Sequence, residues 1–210
     1  MARACDRYGD AKVPDYPAGG YLERVVTTTR TTKARLLHYF PPSSRYSDCD
    51  GSPGQDDDLC GTHLDHGCLT GLTSAFYVDE TAHDPILKST DVSPPVLPEL
   101  SSSPDPEAGL YVLARDGSTV RVVIPRDCLA FQTGEALQRI TGGMMRAVPH
   151  FVKGARAGAG GVGVARNTLA VFMQPNLDEV VDRKRGVDFA TFAREIVEKN
   201  TWRSTDDTKE

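Results

Sequence analysis

The chain has 210 residues, 39% of them hydrophobic and 25% charged, which is enough for one buried core and argues against wholesale disorder. A formal net charge of -5 excludes a general electrostatic pull towards nucleic acid or acidic membranes, and no apolar run approaches bilayer-spanning length. The five cysteines (Cys5, Cys49, Cys60, Cys68 and Cys128) show no CxxC spacing, so neither a disulfide framework nor a four-cysteine zinc site is indicated, and a cytoplasmic monomer with reduced thiols is expected.

Residues 1–34 read as a short, partly disordered N-terminal segment, because the opening to about Gly20 is rich in glycine, proline and charge and lacks the apolar stretch of a secretory signal. A domain over residues 35–200 and a polar tail over 201–210 follow. Within the domain a strand is predicted from Arg35 to Phe40, stopped by Pro41 and Pro42, and SSRYSDCDGSPGQDDD is a polar loop. The stretch THLDHGCLTGLTSAFYV reads as two short strands around Gly67. Residues 79–108, rich in proline, serine and acids, are expected to form a surface loop with little regular structure.

Beyond it, GLYVLAR and STVRVVI flank Asp116-Gly117, a strong hairpin signal. DCLAFQ is a predicted strand and TGEALQRITGG a helix of one or two turns ending at Gly142-Gly143. PHFVKG returns to extended structure. GARAGAGGVG reads as a loose hairpin connection, since it does not join a strand to a helix as a dinucleotide fingerprint would. VARNTLAVFMQP is read as the final strand, and Phe189, Phe192, Ala193, Ile196 and Val197 fall at helical spacing, predicting one amphipathic helix packed outside the sheet. Many punctuated strands point to a mainly β barrel or sandwich.

The chemistry gathers at His63-Leu-Asp65. In an extended strand alternate side chains share a face, so an imidazole and a carboxylate project together, and one further imidazole would complete a two-histidine, one-carboxylate set suited to Fe(II). His150, at the start of the PHFVKG strand, is the best third ligand; His66 has the wrong parity, His83 sits in the proline-rich loop, and His38 is weaker still. Arg166 and Thr168 share a strand face by the same period, and an arginine fork with a hydroxyl beside it matches a carboxylate. Glu135 and Arg139 read as an exposed ion pair, Arg146 as a substrate contact or a structural salt link, Cys68 as a buried small hydrophobe, and Met144 and Met145 as pocket lining or core.

In this order the motifs resemble the Fe(II)- and 2-oxoglutarate-dependent oxygenases, in particular the isopenicillin N synthase-like branch. LLHYFPP is similar to that family's Tyr-Pro strand, GTHLDHGCLTGL to its HxD strand, and GLYVLARDGSTVRV to the following hairpin. FQTGEALQRITGGMMRAVPH resembles the run that delivers the distal histidine, and ARNTLAVFMQPN the Arg-x-Ser/Thr strand. The resemblance implies a double-stranded β-helix, or jelly roll, with His63, Asp65 and His150 on Fe(II). It also implies Arg166, Thr168 and Tyr39 on the co-substrate 2-oxoglutarate, consumption of O2, and oxidation of a small-molecule substrate with release of succinate and CO2.

Two departures stand out: few residues precede the Tyr-Pro strand, as in an N-terminally truncated relative, and Phe40 occupies a position that is often tyrosine. Rival readings are an oxidase that seats its own substrate on Arg166, a non-catalytic jelly-roll binding module or inactive truncated relative, and a zinc site built from Cys60, His63, His66 and Cys68.

Overall fold

A computed structural model describes residues 1–42, 58–81 and 96–206. The polar loop after Pro42, most of the first half of the proline-rich loop, and His83 within it lie outside these. Where composition suggests a partly disordered lead-in, the chain instead forms two helices, α1 (Ala2–Lys12) and α2 (Tyr21–Thr28). A single buried carboxylate in α1 caps the start of α2. Asp6 Oδ1 accepts the Leu22 N–H at 2.7 Å and the Tyr16 hydroxyl at 2.8 Å, while Oδ2 accepts the Glu23 N–H at 2.9 Å. Asp6 thus serves the open N–H groups at the start of α2 from a distance of sixteen residues, a cap that local sequence reading does not look for.

The strands that follow are β1 (Lys33–Tyr39), β2 (Asp58–His63), β3 (Leu69–Thr73), β4 (Phe76–Asp79), β5 (Glu99–Leu100), β6 (Gly109–Leu113), β7 (Thr119–Val122) and β8 (Leu129–Thr133). A short helix α3 (Glu135–Ile140) precedes β9 (His150–Lys153) and the long β10 (Val164–Met173); β11 (Val180–Asp182), β12 (Val187–Asp188) and α4 (Phe189–Asp206) complete the order. β10 is therefore not the last strand, and α4 runs on into the stretch read as a polar tail.

Among the described residues all strand pairs are antiparallel. One sheet runs β5-β4-β10-β3-β8, with β1 also on β10, and a second runs β2-β9-β6-β7. Ten-residue β10 carries β1 along one edge and divides the other between β4 and β3. The chain passes repeatedly from one sheet to the other. The glycine-rich stretch 154–163 is one such crossing, taking the chain from β9 in the second sheet to β10 in the first, so it is not a hairpin connection.

The described part of the proline-rich loop is anchored rather than free. Asp105 is fully buried, and Arg156 grips it through Nε at 2.8 Å, Nη2 at 2.9 Å and its backbone N–H at 3.0 Å. Arg156 holds the Asp105 carboxyl well below the usual carboxylate range.

The apolar core lies outside the space between the sheets. Cys5, Tyr21, Leu22 and Val25 meet Cys68 and Leu69, Leu137 of α3, Val181, and Phe189 and Phe192 of α4. The stripe expected on α4 packs here through Phe189, Phe192, Ala193 and Ile196, whereas Val197 is exposed. Cys68 is the buried hydrophobe anticipated, and burial pushes its thiol up. At the other end of the same sheet face Leu36, Leu129 and Phe131 remain exposed. Among the described residues no helix is long and apolar enough to cross a membrane.

Candidate metal centre

Between the two sheets lies a cavity of about 280 Å³. Period-two alternation sends Arg35, Leu37 and Tyr39 of β1 and Arg166, Thr168, Ala170 and Phe172 of β10 into it, with Thr70 and Leu72 of β3 beside them. The second sheet supplies Cys60, His63, His150 and Val152.

His63 and His150 are direct cross-strand partners of β2 and β9, with ring centroids 4.2 Å apart. The pairing of β2 with β9 shifts register between Asp58 and Cys60 and again between Cys60 and His63. An extra residue in the second interval explains why Cys60 and His63, an odd number of residues apart, both face the cavity. Asp65 does not lie on the strand with His63. β2 ends at His63, and Asp65 sits in the crossing to β3, its backbone carbonyl accepting the Glu135 N–H at 2.8 Å.

The ligand atoms of His63, Asp65 and His150 all lie within 4.8 Å of one another. Asp65 Oδ1 is 3.9 Å from His63 Nε2 and 3.8 Å from His150 Nε2. The other carboxylate oxygen is already engaged: Oδ2 accepts the Thr70 hydroxyl at 2.5 Å and the Gln132 amide at 2.6 Å. Each imidazole places Nδ1 on a backbone carbonyl, that of Gly61 at 2.8 Å for His63 and that of Val148 at 3.0 Å for His150. Both contacts favour the tautomer with Nδ1 protonated, and the Nε2 lone pair of His150 then accepts the Gln132 amide at 3.1 Å. Burial lowers the pKa of His150, which keeps the ring neutral as a metal ligand must be. Two imidazoles and one carboxylate oxygen with such supports fit a divalent metal of intermediate softness.

The remaining candidates separate cleanly. His66 is exposed and sits 2.7 Å from Glu135, so Glu135 is not paired with Arg139, which instead reaches Asp182 at 3.4 Å. His38 places Nδ1 2.7 Å from Asn167. Cys68 is enclosed in the apolar core and His66 points to Glu135, so Cys60, His63, His66 and Cys68 do not converge, and among the described residues the one metal-type group is the triad. Arg146 lines a separate groove, not this cavity.

Further into the cavity, Arg166 is buried, and among the described residues its Nε and Nη1 have no hydrogen-bond partner. In register, Tyr39 of β1 lies opposite it on one edge and Tyr77 of β4 on the other. Phe40, by contrast, is 74% exposed, so Tyr39 is the aromatic that faces the cavity. Burial raises the Tyr39 pKa against the opposing pull of the Arg166 charge. Thr168 is buried on the same face, its hydroxyl only loosely tied to the Thr73 carbonyl at 3.4 Å. A buried guanidinium with two idle donors between two tyrosines suits a carboxylate.

Sequence reading missed Thr70, Gln132 and Tyr77. The alternation in LTGLT and LAFQT shows which residues share a face, but not that this face meets Asp65.

No protein-family model and no curated protein matches the chain. Solved structures do. A Shewanella oneidensis protein described as an oxygenase superposes with a TM-score of 0.61 at 18% identity, over 95% of this chain and 60% of its own. The rice dioxygenase for auxin oxidation does so with a TM-score of 0.50 at 18% identity, over 80% of this chain and 47% of its own. The chain thus has the fold of these oxygenases and spans about three fifths of the length of the Shewanella protein.

Proposed function

We propose that the chain is the metal-binding part of an Fe(II)- and 2-oxoglutarate-dependent oxygenase of jelly-roll fold, similar in its motifs to the isopenicillin N synthase-like branch. Its expected substrate is a small organic molecule, and it is expected to act as a cytoplasmic monomer. The observation that carries the reading is the pairing, in one cavity, of the His63, Asp65 and His150 triad with a buried Arg166 that has two unmatched donors. Either feature alone has bland explanations. Together they match a co-substrate that needs a metal at one end and a cation at the other.

In this reading the Nε2 atoms of His63 and His150 and Oδ1 of Asp65 hold Fe(II). When bound, the metal and 2-oxoglutarate supply O2-dependent oxidation, in which one oxygen atom enters succinate, the other enters the substrate, and CO2 leaves. The protein's own residues position and shield. Arg166, flanked by Tyr39 and Tyr77, receives the far carboxylate as a planar fork, and Thr168 offers a hydroxyl on the same face. Thr70 and Gln132 fix Asp65 so that one oxygen is presented to the metal. Leu37, Leu72 and Val152 keep the cavity walls apolar, which strengthens each of these charge contacts.

Anaerobic titration with Fe(II) and then 2-oxoglutarate tests metal, co-substrate and geometry together. A weak visible charge-transfer band that saturates at one equivalent is expected, absent in Asp65→Ala. A band of equal intensity in that variant would remove the ligand assignment.

A further inference from the structure

On the reading above, we propose that Arg35 recognises the primary substrate, and that this substrate bears a carboxylate or a comparable anionic group on a small apolar body. Arg35 lies on the cavity-facing side of β1, and its guanidinium stands over the Phe172 ring, 5.3 Å from the centroid. Phe172 is the register partner of Thr70, whose hydroxyl binds Asp65 at 2.5 Å. Arg35 is therefore at the level of the metal triad, while Arg166 sits further along β10, opposite Tyr39.

Arg35 is exposed, and among the described residues no ion pair or hydrogen bond engages it. Among the described residues its charge has no acidic counterpart beside it. The single acidic residue among the described lining residues is Asp65. A divalent metal, a dianionic co-substrate, Asp65 and Arg166 together sum to zero charge, which leaves Arg35 and Arg121. Arg121 commits Nε and Nη2 to the Ala108 carbonyl at 3.1 and 2.9 Å, so Arg35 has the fork to offer. The same cavity is lined by Leu37, Leu72, Val122, Val123 and Ile124, and by Ser101 to Ser103. A cavity of about 280 Å³ shared with a co-substrate admits only a small molecule. Stacking on Phe172 holds the guanidinium plane while leaving its edge open for a bidentate contact.

The test uses matched acid and amide probes, phenylacetate with phenylacetamide and hexanoate with hexanamide, titrated calorimetrically into the metal-free full chain. Wild type is expected to bind each acid about tenfold or more tightly than its amide, as a charge-assisted fork does. In an Arg166→Gln background, which removes the other carboxylate seat in the cavity, the preference should remain, and adding Arg35→Gln should abolish it while adding Arg35→Lys should retain part of it. Equal binding of acid and amide by wild type, or a preference that disappears in Arg166→Gln alone or survives the added Arg35→Gln, would overturn the proposal. Thermal melts confirm that each variant is folded. Because the titration needs neither iron nor 2-oxoglutarate, its failure is separate from failure of the visible-band experiment above.

Discussion

The Arg166 guanidinium lies over the Tyr39 ring, 5.2 Å from its centroid, and the two residues are direct cross-strand partners on β10 and β1. The tyrosine thus orients the guanidinium while Nε and Nη1 stay unmatched among the described residues. Tyr39→Leu should weaken 2-oxoglutarate binding by roughly 2- to 30-fold, the range for a cation–π contact, with Tyr39→Phe closer to wild type. Dissociation constants from the visible band measure this. An unchanged constant in Tyr39→Leu would remove the orienting role.

Arg166 also represents a cost to the empty protein, since two of its buried donors are unmatched. Arg166→Met should leave the melting temperature of the cofactor-free protein unchanged or higher while weakening 2-oxoglutarate binding at least about 100-fold, because an unsatisfied buried donor costs about 1–3 kcal/mol. Calorimetric melting with and without 2-oxoglutarate reads both effects. A strong loss of stability without any co-substrate would show that Arg166 is structural.

Thr70 and Gln132 both hold Asp65 Oδ2, and Gln132 also lies 3.1 Å from His150 Nε2. Thr70→Val and Gln132→Ala should each lower Fe(II) affinity by about 10- to 100-fold, as removal of such supporting partners does elsewhere. Metal competition assays on the two variants decide it. Affinity equal to wild type in both would mean that Asp65 is fixed by its backbone alone.

Gly134 has no room for a side chain. A Cβ there would stand 2.3 Å from the Gly67 carbonyl oxygen and 2.7 Å from that of Asp65, both backbone atoms. Gly134→Ala should therefore destabilise the fold by about 1–3 kcal/mol and displace Asp65, so that metal affinity falls with stability. Urea denaturation and metal titration should move together.

Arg156 depresses the pKa of Asp105, and the sign of the resulting pH dependence follows from that direction. A carboxylate whose folded pKa is depressed adds stability that is fully present above its unfolded value, about pH 4, and is lost as pH falls towards the folded value. Asp105→Asn should lower stability at neutral pH by about 2 kcal/mol and flatten the stability profile below pH 4. Parallel profiles for wild type and variant in that range would dissociate the pair from acid sensitivity.

Much of this molecule was legible one segment at a time. The hairpin around Asp116-Gly117, the short helix closing at Gly142-Gly143, and the shared face of Arg166 and Thr168 follow from turn chemistry and period two, which are local rules. The pairing of His63 with Asp65 was read correctly from the wrong geometry, since Asp65 has already left the strand. Helix α2 escapes local reading because the carboxylate that caps it, Asp6, lies sixteen residues away in α1.

By itself, then, the amino-acid sequence determined most of the strands from β1 to β10, the residue types suited to a metal and a carboxylate, and the shared face of Arg166 and Thr168. Tertiary structure alone decided that His150 lies across from His63, that Tyr39 and not Phe40 faces the cavity, and that Thr70 and Gln132 converge on Asp65. The physical reason is that backbone periodicity acts over a few residues, whereas antiparallel pairing between segments as remote in sequence as β1 and β10, where Lys33 meets Phe172, is chosen by the packing of whole sheets, whose register no local pattern encodes.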